Sequence, residues 1–560
     1  MSLRPALPLL ALVLAFPAVP APPAALPAPA AVQDSVATLI RQRLAGPDAG
    51  LMSPELTARF YARRAYSPAW SPAQASALDA EALAFAVLAA ETHGLRPEAY
   101  RVPRIREALR RVQPPVPAAA LAELDLLLTD AFLTYGRHLA RGRIDPRAIH
   151  PGWSLPLRMS DPVAALETAI RTGDVGRALA GLAPSDPAYR ALRSVLDRYR
   201  AIEAAFGWRT LPASDAIHPG DRGEAVAGLR DRLASEVPMP ATDSAAVYDM
   251  PLEASVRAFQ QSHGLLEDGI VGRETRAALN VAARARREQI ELALERLRWL
   301  PADLGRRHIR ISIPAFELAF VEDGRTLLAM RIVGGRPDWP TPVFSARMTS
   351  IVLSPVWNIP VSIAEREVVP EIRRDPTWLD RNHVRVVTGY GAAERVVSPS
   401  TIDWGQYDPR RSPFRLRQDP GPGNSLGSVK FLFPNPYSTY LHDTPARGLF
   451  SEPVRAFSHG CMRAEKPIEL AEILLADLGW DESAILAAIA RGVERAVALA
   501  DPVPVHVLYQ TAWVDAAGEP QFRDDLYGHD RRLARALDGN PAMIAERAGL
   551  ECVTDAEVRP

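Results

Sequence analysis

A cysteine and a histidine brought together can exchange acyl groups, and this chain holds both in one short stretch. Leu441 to Arg463 reads LHDTPARGLFSEPVRAFSHGCMR. It contains Cys461, one of two cysteines among 560 residues, and His442 lies nineteen positions upstream of it. The thiolate is the nucleophile, and a free thiol near neutral pH is mostly protonated. An imidazole can take that proton and later return it to a leaving group. Gly460 has no Cβ, so a turn there can bring backbone N–H groups against a developing oxyanion. The same residue types carry two other readings. A lone cysteine often packs as a small apolar side chain, and His442, His459 and Cys461 are three residues of zinc-ligand type.

The surrounding residues favour the first reading. SHGCMR preceded by HD at this spacing resembles the signature of the YkuD-type L,D-transpeptidase catalytic domain of peptidoglycan cross-linking enzymes. The flanks IVGGRPDWPTP (Ile332 to Pro342), SPVWNIPVSIAERE, RLRQDPGPGNSLGSVKFLFPN and YLHDTPARGLF resemble its larger, periplasmic, YcbB-like branch. The similarity runs over most of Ala315 to Asp530.

The resemblance implies Cys461 as nucleophile and His442 as the base that activates it. The Asp443 carbonyl, or its carboxylate, would orient the imidazole. Ser458, His459 and Gly460 would shape the cysteine turn and the oxyanion site, with His459 a site wall rather than the base. Arg463, Trp357, Tyr440 and Asn424 are the candidate substrate-binding residues. Arg463 would hold a carboxylate or, equally, form a structural ion pair. Trp357 and Tyr440 would line the groove or serve as ordinary strand residues. The implied reaction is acyl transfer from a tetrapeptide stem, with loss of D-Ala, to an amine on a neighbouring stem, giving a 3–3 cross-link. Water as acceptor would make the chain an L,D-carboxypeptidase. The implied partners are peptidoglycan stem peptides and glycan strands, without nucleic acid. No metal or organic cofactor is implied, and the sequence has no Gly-x-x-x-x-Gly-Lys phosphate loop. A zinc hydrolase and a non-catalytic wall-binding scaffold are the competing classes.

These residues need a frame. The expected fold is multidomain α+β. The catalytic domain, 306–530, reads as mainly β. Glu317 to Val321 and Thr326 to Val333 flank Asp323-Gly324, a hairpin signal. Further strands are expected at Ser350 to Trp357, Ser428 to Phe433, Ser438 to His442 and Val503 to Val514, with a helix at Pro467 to Leu478. An insertion at about 363–424, rich in Pro and Arg, corresponds by resemblance to a mobile lid. Residues 211–281 resemble a three-helix peptidoglycan-binding domain through Phe259-Gln260, His263-Gly264-Leu265 and DGIVGRET (Asp268 to Thr275). Most of that motif specifies fold: the phenylalanine as core, the glycines as turns. Residues 282–302 form an amphipathic connector helix with Ile290, Leu294 and Leu297 on one face. Its Arg and Glu read as a solvated face.

Upstream, 34–206 shows helical spacing of apolar residues and resembles the scaffold domain of the same branch. Residues 1–30 read as a signal peptide and Pro/Ala linker: Arg4, then the apolar run Leu7 to Phe16, then small residues. The run is short for a bilayer span, so the membrane enters only through an uncleaved segment, and the expected location is the periplasm. Residues 531–560 read as a tail. Cys461 and Cys552 are the one possible intrachain disulfide, which would silence a catalytic Cys461; both are expected to be free thiols. The chain is 48% hydrophobic and 23% charged with a formal charge of −1, a globular composition that proposes no polyanionic partner.

Overall fold

A computed structural model of the chain describes residues 30–539, apart from 47–49, 71–76, 113–115, 238 and 240–244. The expected signal segment lies outside the described residues but for Ala30, and so does Cys552. The chain divides into two compact units. The first draws on residues 1–88, 97–135 and 161–180, and the second on 89–96, 136–160 and 181–560. The helical segment 34–206 therefore contributes to both.

The first unit is helical. Its helices include Pro54–Arg63 and Pro162–Thr172, and Asp161 caps the latter by accepting from Val163 N–H. Buried Asp125 accepts the Ala69 and Trp70 N–H groups at 2.8 Å and the Tyr61 hydroxyl. A buried carboxylate is tolerated where it is fully hydrogen-bonded.

In the second unit, helices Glu224–Ala234, Met250–Ser262 and Arg273–Leu279 pack around Val226, Leu229, Leu252, Val256 and Phe259. This is the three-helix module expected from the sequence. Its motif residues form one knot. Buried Gln260 donates to Asp268 and to the Ile270 carbonyl, and it accepts from Gly269 N–H. His263 is half-buried and stacks on Phe259 at 3.8 Å between ring centroids, a structural role.

The helix Ala283–Trp299 overturns one expectation. Only part of its charge is solvated: Arg284 and Glu288 are exposed, whereas Arg286, Glu295, Arg296 and Arg298 are buried. Glu295 pairs with Arg298 at 2.7 Å and also accepts the backbone N–H groups of Arg143 and Ile144. Arg296 pairs with Asp530, and Arg298 donates to the His93 carbonyl. The helix is enclosed on several sides, so its long stems cover apolar surface while their heads find partners. Gly142, at φ +78°, lets the chain pass this site; a Cβ there would stand 2.5 Å from Glu295 Oε1. Of the expected tail, residues 540–560 lie outside the described residues; its beginning belongs to the helix His529–Leu537, with Leu533 in the main core.

The strands of the catalytic region are β1 (Arg307–Ser312), β2 (Glu317–Glu322), β3 (Arg325–Gly335), β4 (Phe344–Leu353) and β5 (Trp357–Asn358). Next come β6 (Val384–Thr388), β7 (Arg395–Val397), β8 (Phe414–Gln418), β9 (Val429–Leu432) and β10 (Leu441–His442). The last are β11 (Ala456–Ser458), β12 (Met462–Ala464), β13 (Arg495–Leu508), β14 (Ala512–Val514) and β15 (Pro520–Phe522). The order β3-β12-β10-β9-β4-β13-β1-β2 closes on itself through β2–β3, and β11 adds to β3. Closure removes the open edges of the sheet. Its interior packs Ile309, Phe320, Ile351, Phe431, Leu441, Met462 and Val505. The Asp323-Gly324 turn joins β2 and β3 with both residues at positive φ, as a hairpin turn of this twist requires.

The expected strand Ser350 to Trp357 is two. Ser354 takes φ +48°, Pro355 has no N–H for a ladder, and β5 joins another sheet. That sheet, β5-β8-β6-β7, belongs to the insertion. It has its own core of Ile359, Val368, Ile372, Leu379, Val386 and Leu416. The insertion is thus a folded subdomain rather than a loop, because enough apolar residues hide between its Pro and Arg residues to bury a face. The helix expected after the cysteine is Pro467–Leu475, with a 3₁₀ turn to Leu478.

Candidate active site

Two short parallel strands carry the centre of the site. β10 and β12 pair Leu441 with Met462 and His442 with Arg463, and Met462 N–H donates to the Tyr440 carbonyl at 3.0 Å. Side chains alternate along a strand. Leu441 and Met462 therefore point into the core, both fully buried. Tyr440, His442, Cys461 and Arg463 all point to the other face. On the far side of β10, β9 places Lys430 level with His442 and Phe431 level with Leu441. Lys430 joins the polar face, and its ammonium sits 4.0 Å from the centre of the Tyr440 ring.

Cys461 is a half-buried free thiol. Burial pushes it up, and hydrogen bonds from the Tyr440 N–H and hydroxyl and the charges of Lys430 and Arg463 offset only part of that rise. His442 is buried, and its Nδ1 lies 2.5 Å from the Asp443 carbonyl. Burial first, and the Arg463 charge second, bring it down to about 3. The neutral imidazole is the form that accepts a proton. The Asp443 carboxylate is engaged elsewhere. It accepts Ser428 N–H at 2.8 Å, pairs with Arg447 at 3.4 Å, and occupies the space a Cβ on Gly427 would need. Of the two orienting groups the sequence offered, the structure brings the carbonyl.

Ser458 builds the cysteine turn. Its hydroxyl donates to the Cys461 carbonyl and accepts Gly460 N–H at 3.2 Å. Gly460 takes φ +102°, a conformation open to glycine, and its carbonyl accepts Thr341 Oγ1 at 3.0 Å. Gly335 lies beneath it; a Cβ there would stand 2.1 Å from the Trp339 carbonyl. Gly460 N–H is spent on Ser458, whereas the His459 and Cys461 N–H groups of this turn keep no protein acceptor among the described residues.

His459 faces away from the thiol. Its Nε2 lies 2.6 Å from Glu367 of the insertion, and Trp339 meets its ring edge-on at 4.7 Å. Trp357, on β5, hydrogen-bonds to the Tyr440 hydroxyl, so it touches the site from the insertion side. Asn424 does not reach substrate space. It is buried, its amide donates to the Pro355 and Asp419 carbonyls, and its oxygen accepts Leu426 N–H. An Asn with its polar atoms committed to backbone holds a loop and has none left for a ligand. Among the described residues no three His, Cys, Asp or Glu side chains gather as metal ligands.

Sequence reasoning missed Lys430 and Glu367. A signal existed for the first: of 65 basic residues only Lys430 and Lys466 are lysine, and Lys430 interrupts an apolar strand. Nothing local distinguishes Glu367.

Residues 306–505 match the family model "L,D-transpeptidase catalytic domain", residues 222–279 match "Putative peptidoglycan binding domain", and residues 55–196 match "Scaffold domain". A Haemophilus influenzae protein named "Putative L,D-transpeptidase" is 33% identical over 246 residues, 44% of this chain and 49% of its own length. The chain thus spans about half the length of the curated relative it matches. A solved L,D-transpeptidase from Xylanimonas cellulosilytica DSM 15894 covers 53% of this chain and 99% of its own at 15% identity and a TM-score of 0.16. One from Stackebrandtia nassauensis covers 53% and 96% at 12% identity and a TM-score of 0.20. Structural likenesses this weak carry no weight.

Proposed function

Because the chain carries an L,D-transpeptidase catalytic domain and a peptidoglycan-binding domain, we propose that it forms 3–3 cross-links between peptidoglycan stems through a Cys461 thioester. The observation that supports this reading is the single polar face shared by Tyr440, His442, Cys461 and Arg463 on β10 and β12. The Cys461 sulfur attacks the carbonyl of the third stem residue, and its proton passes to His442. The tetrahedral oxyanion takes the Cys461 N–H. The C–N bond to D-Ala breaks, and the departing amine receives the proton from His442. The side-chain amine of a neighbouring stem then attacks the thioester, gives a proton to His442 and expels the thiolate. The Asp443 carbonyl fixes the imidazole throughout. Arg463 and Tyr440 bound the donor groove, and the insertion closes over it, which would exclude water and favour the amine over hydrolysis. Action on peptidoglycan would put the enzyme in the periplasm.

Intact-protein mass spectrometry with a purified disaccharide-tetrapeptide tests this. The expected result is a transient adduct of donor minus D-Ala on the wild type, none on Cys461→Ala, and a cross-linked dimer. Adduct with tripeptide alone would make the chain an L,D-carboxypeptidase. A folded protein with a free thiol and neither adduct nor turnover would leave a wall-binding scaffold.

A further inference from the structure

Lys430 and Arg463 are two cations on the face that carries the thiol, and among the described residues neither has a carboxylate within ion-pair distance. Arg463 Nε is buried without a hydrogen-bond partner. Lys430 is covered by the Tyr440 ring on one side. Both side chains are half-buried, and unpaired cations partly withdrawn from water favour a negative charge between them. The Tyr440 ring that carries Lys430 belongs to the residue whose hydroxyl and N–H reach the sulfur.

We propose that Lys430, acting with Arg463 across the β9-β10-β12 face, is the positioning residue that stabilises the Cys461 thiolate as His442 takes its proton. The S–H bond breaks with its electron pair left on Sγ, and the proton passes to His442, which later gives it to the departing amine. The groups that face the sulfur are Lys430 on β9, Tyr440 and His442 on β10, and Arg463 on β12. His459 lies in the turn with Glu367 and Arg336 behind it. Glu494 acts on Lys430 from beyond ion-pair distance. Burial drives the thiol up and Lys430 down, and the two charges offset each other only when both are present. A lysine here, one of two in a chain that otherwise uses arginine, is consistent with a compact ammonium seated on an aromatic ring on the thiol's face. After acylation the sulfur is neutral and both cations are released, which makes them a seat for a substrate carboxylate in the second half-reaction.

This deepens the nucleophile reading of Cys461, yet its test needs no peptidoglycan. The rate of Cys461 alkylation by iodoacetamide is followed from pH 5 to 10 by mass analysis of the Cys461 peptide. Wild type is compared with Lys430→Met and Lys430→Arg. Lys430→Met should move the midpoint up by about one pH unit and slow alkylation at neutral pH about tenfold. Lys430→Arg, which keeps the charge, should keep the midpoint. Equal midpoints in all three overturn the proposal, as does an upward move shared by Lys430→Arg. Circular dichroism checks each fold; if Lys430→Met does not fold, Lys430→Gln takes its place in the same titration. A shifted thiol with no acylation by tetrapeptide would sink the transpeptidase reading and leave this one standing.

Discussion

His459 Nε2 and Glu367 Oε1 lie 2.6 Å apart, and the two residues are ninety-two positions apart in the chain. This contact joins the inserted subdomain to the turn that carries Cys461. Arg336 reaches the same carboxylate at 3.6 Å, and Arg366 lies over the Trp339 ring at 4.9 Å. The insertion is thus held to the catalytic turn by charge and ring contacts rather than by a shared core.

Such a contact should govern closure more than stability. The side chains of His459 and Glu367 are 19% and 45% exposed, so the pair contributes less than about 1 kcal/mol. Glu367→Gln is expected to leave Tm within about 2 °C while amide exchange across residues 361–374 speeds up. Unchanged exchange there would separate this pair from closure.

The glycine floor of the turn should be unforgiving. A Cβ on Gly335 would meet the Trp339 carbonyl at 2.1 Å, Thr341 N at 2.8 Å and Gly460 Cα at 3.1 Å. All three are backbone, so none can rotate away. Gly335→Ala should displace the cysteine turn and cut kcat by at least about a hundredfold, since small misplacements of a nucleophile are that costly. Gly460→Ala makes only ordinary contacts, with the Pro340 carbonyl at 3.5 Å and the Trp339 carbonyl at 3.8 Å, but keeps φ +102°; its cost should be about 1–2 kcal/mol. Donor kinetics and urea midpoints of both variants rank them, and equal loss would contradict the difference.

The buried pair of the helix Ala283–Trp299 gives a stability prediction. Glu295 and Arg298 have side chains 2% and 0% exposed. Glu295→Gln leaves Arg298 buried without its counter-charge and should cost about 3–5 kcal/mol. Changing both together to apolar residues of similar size should cost much less. Urea denaturation of the two variants measures this; a double variant weaker than the single one would overturn it.

Stability should also fall in mild acid. His93, His138 and His442 are each brought down to about 3, chiefly by burial. Below the unfolded value of about 6.5, the unfolded chain binds protons that the folded chain refuses. The unfolded state is then favoured as pH falls from there towards 3. Each such histidine removes about 2 kcal/mol between pH 7 and pH 5 as an upper figure. Urea midpoints across that range test this; a flat profile would mean these rings take up protons without unfolding.

The sequence by itself determined the chemistry and the local frame. The Cys461 and His442 signature, the Asp323-Gly324 hairpin and the three-helix module with its Gln260 knot are all written in contiguous residues, where turn chemistry and periodicity act over a few positions. Tertiary structure alone decided which side of each strand faces which neighbour. The β9-β10 register put Lys430 level with His442, on the face that carries the thiol. The closed sheet and enclosing helices buried Arg298 and Glu295, which local amphipathicity had assigned to solvent. The insertion found a core among residues too scattered to show a period, and it delivered Glu367 to His459. Asn424 was drawn into a loop it stabilises instead of reaching substrate. In each case the deciding energy is burial or pairing with a residue far along the chain, which no short window of sequence contains.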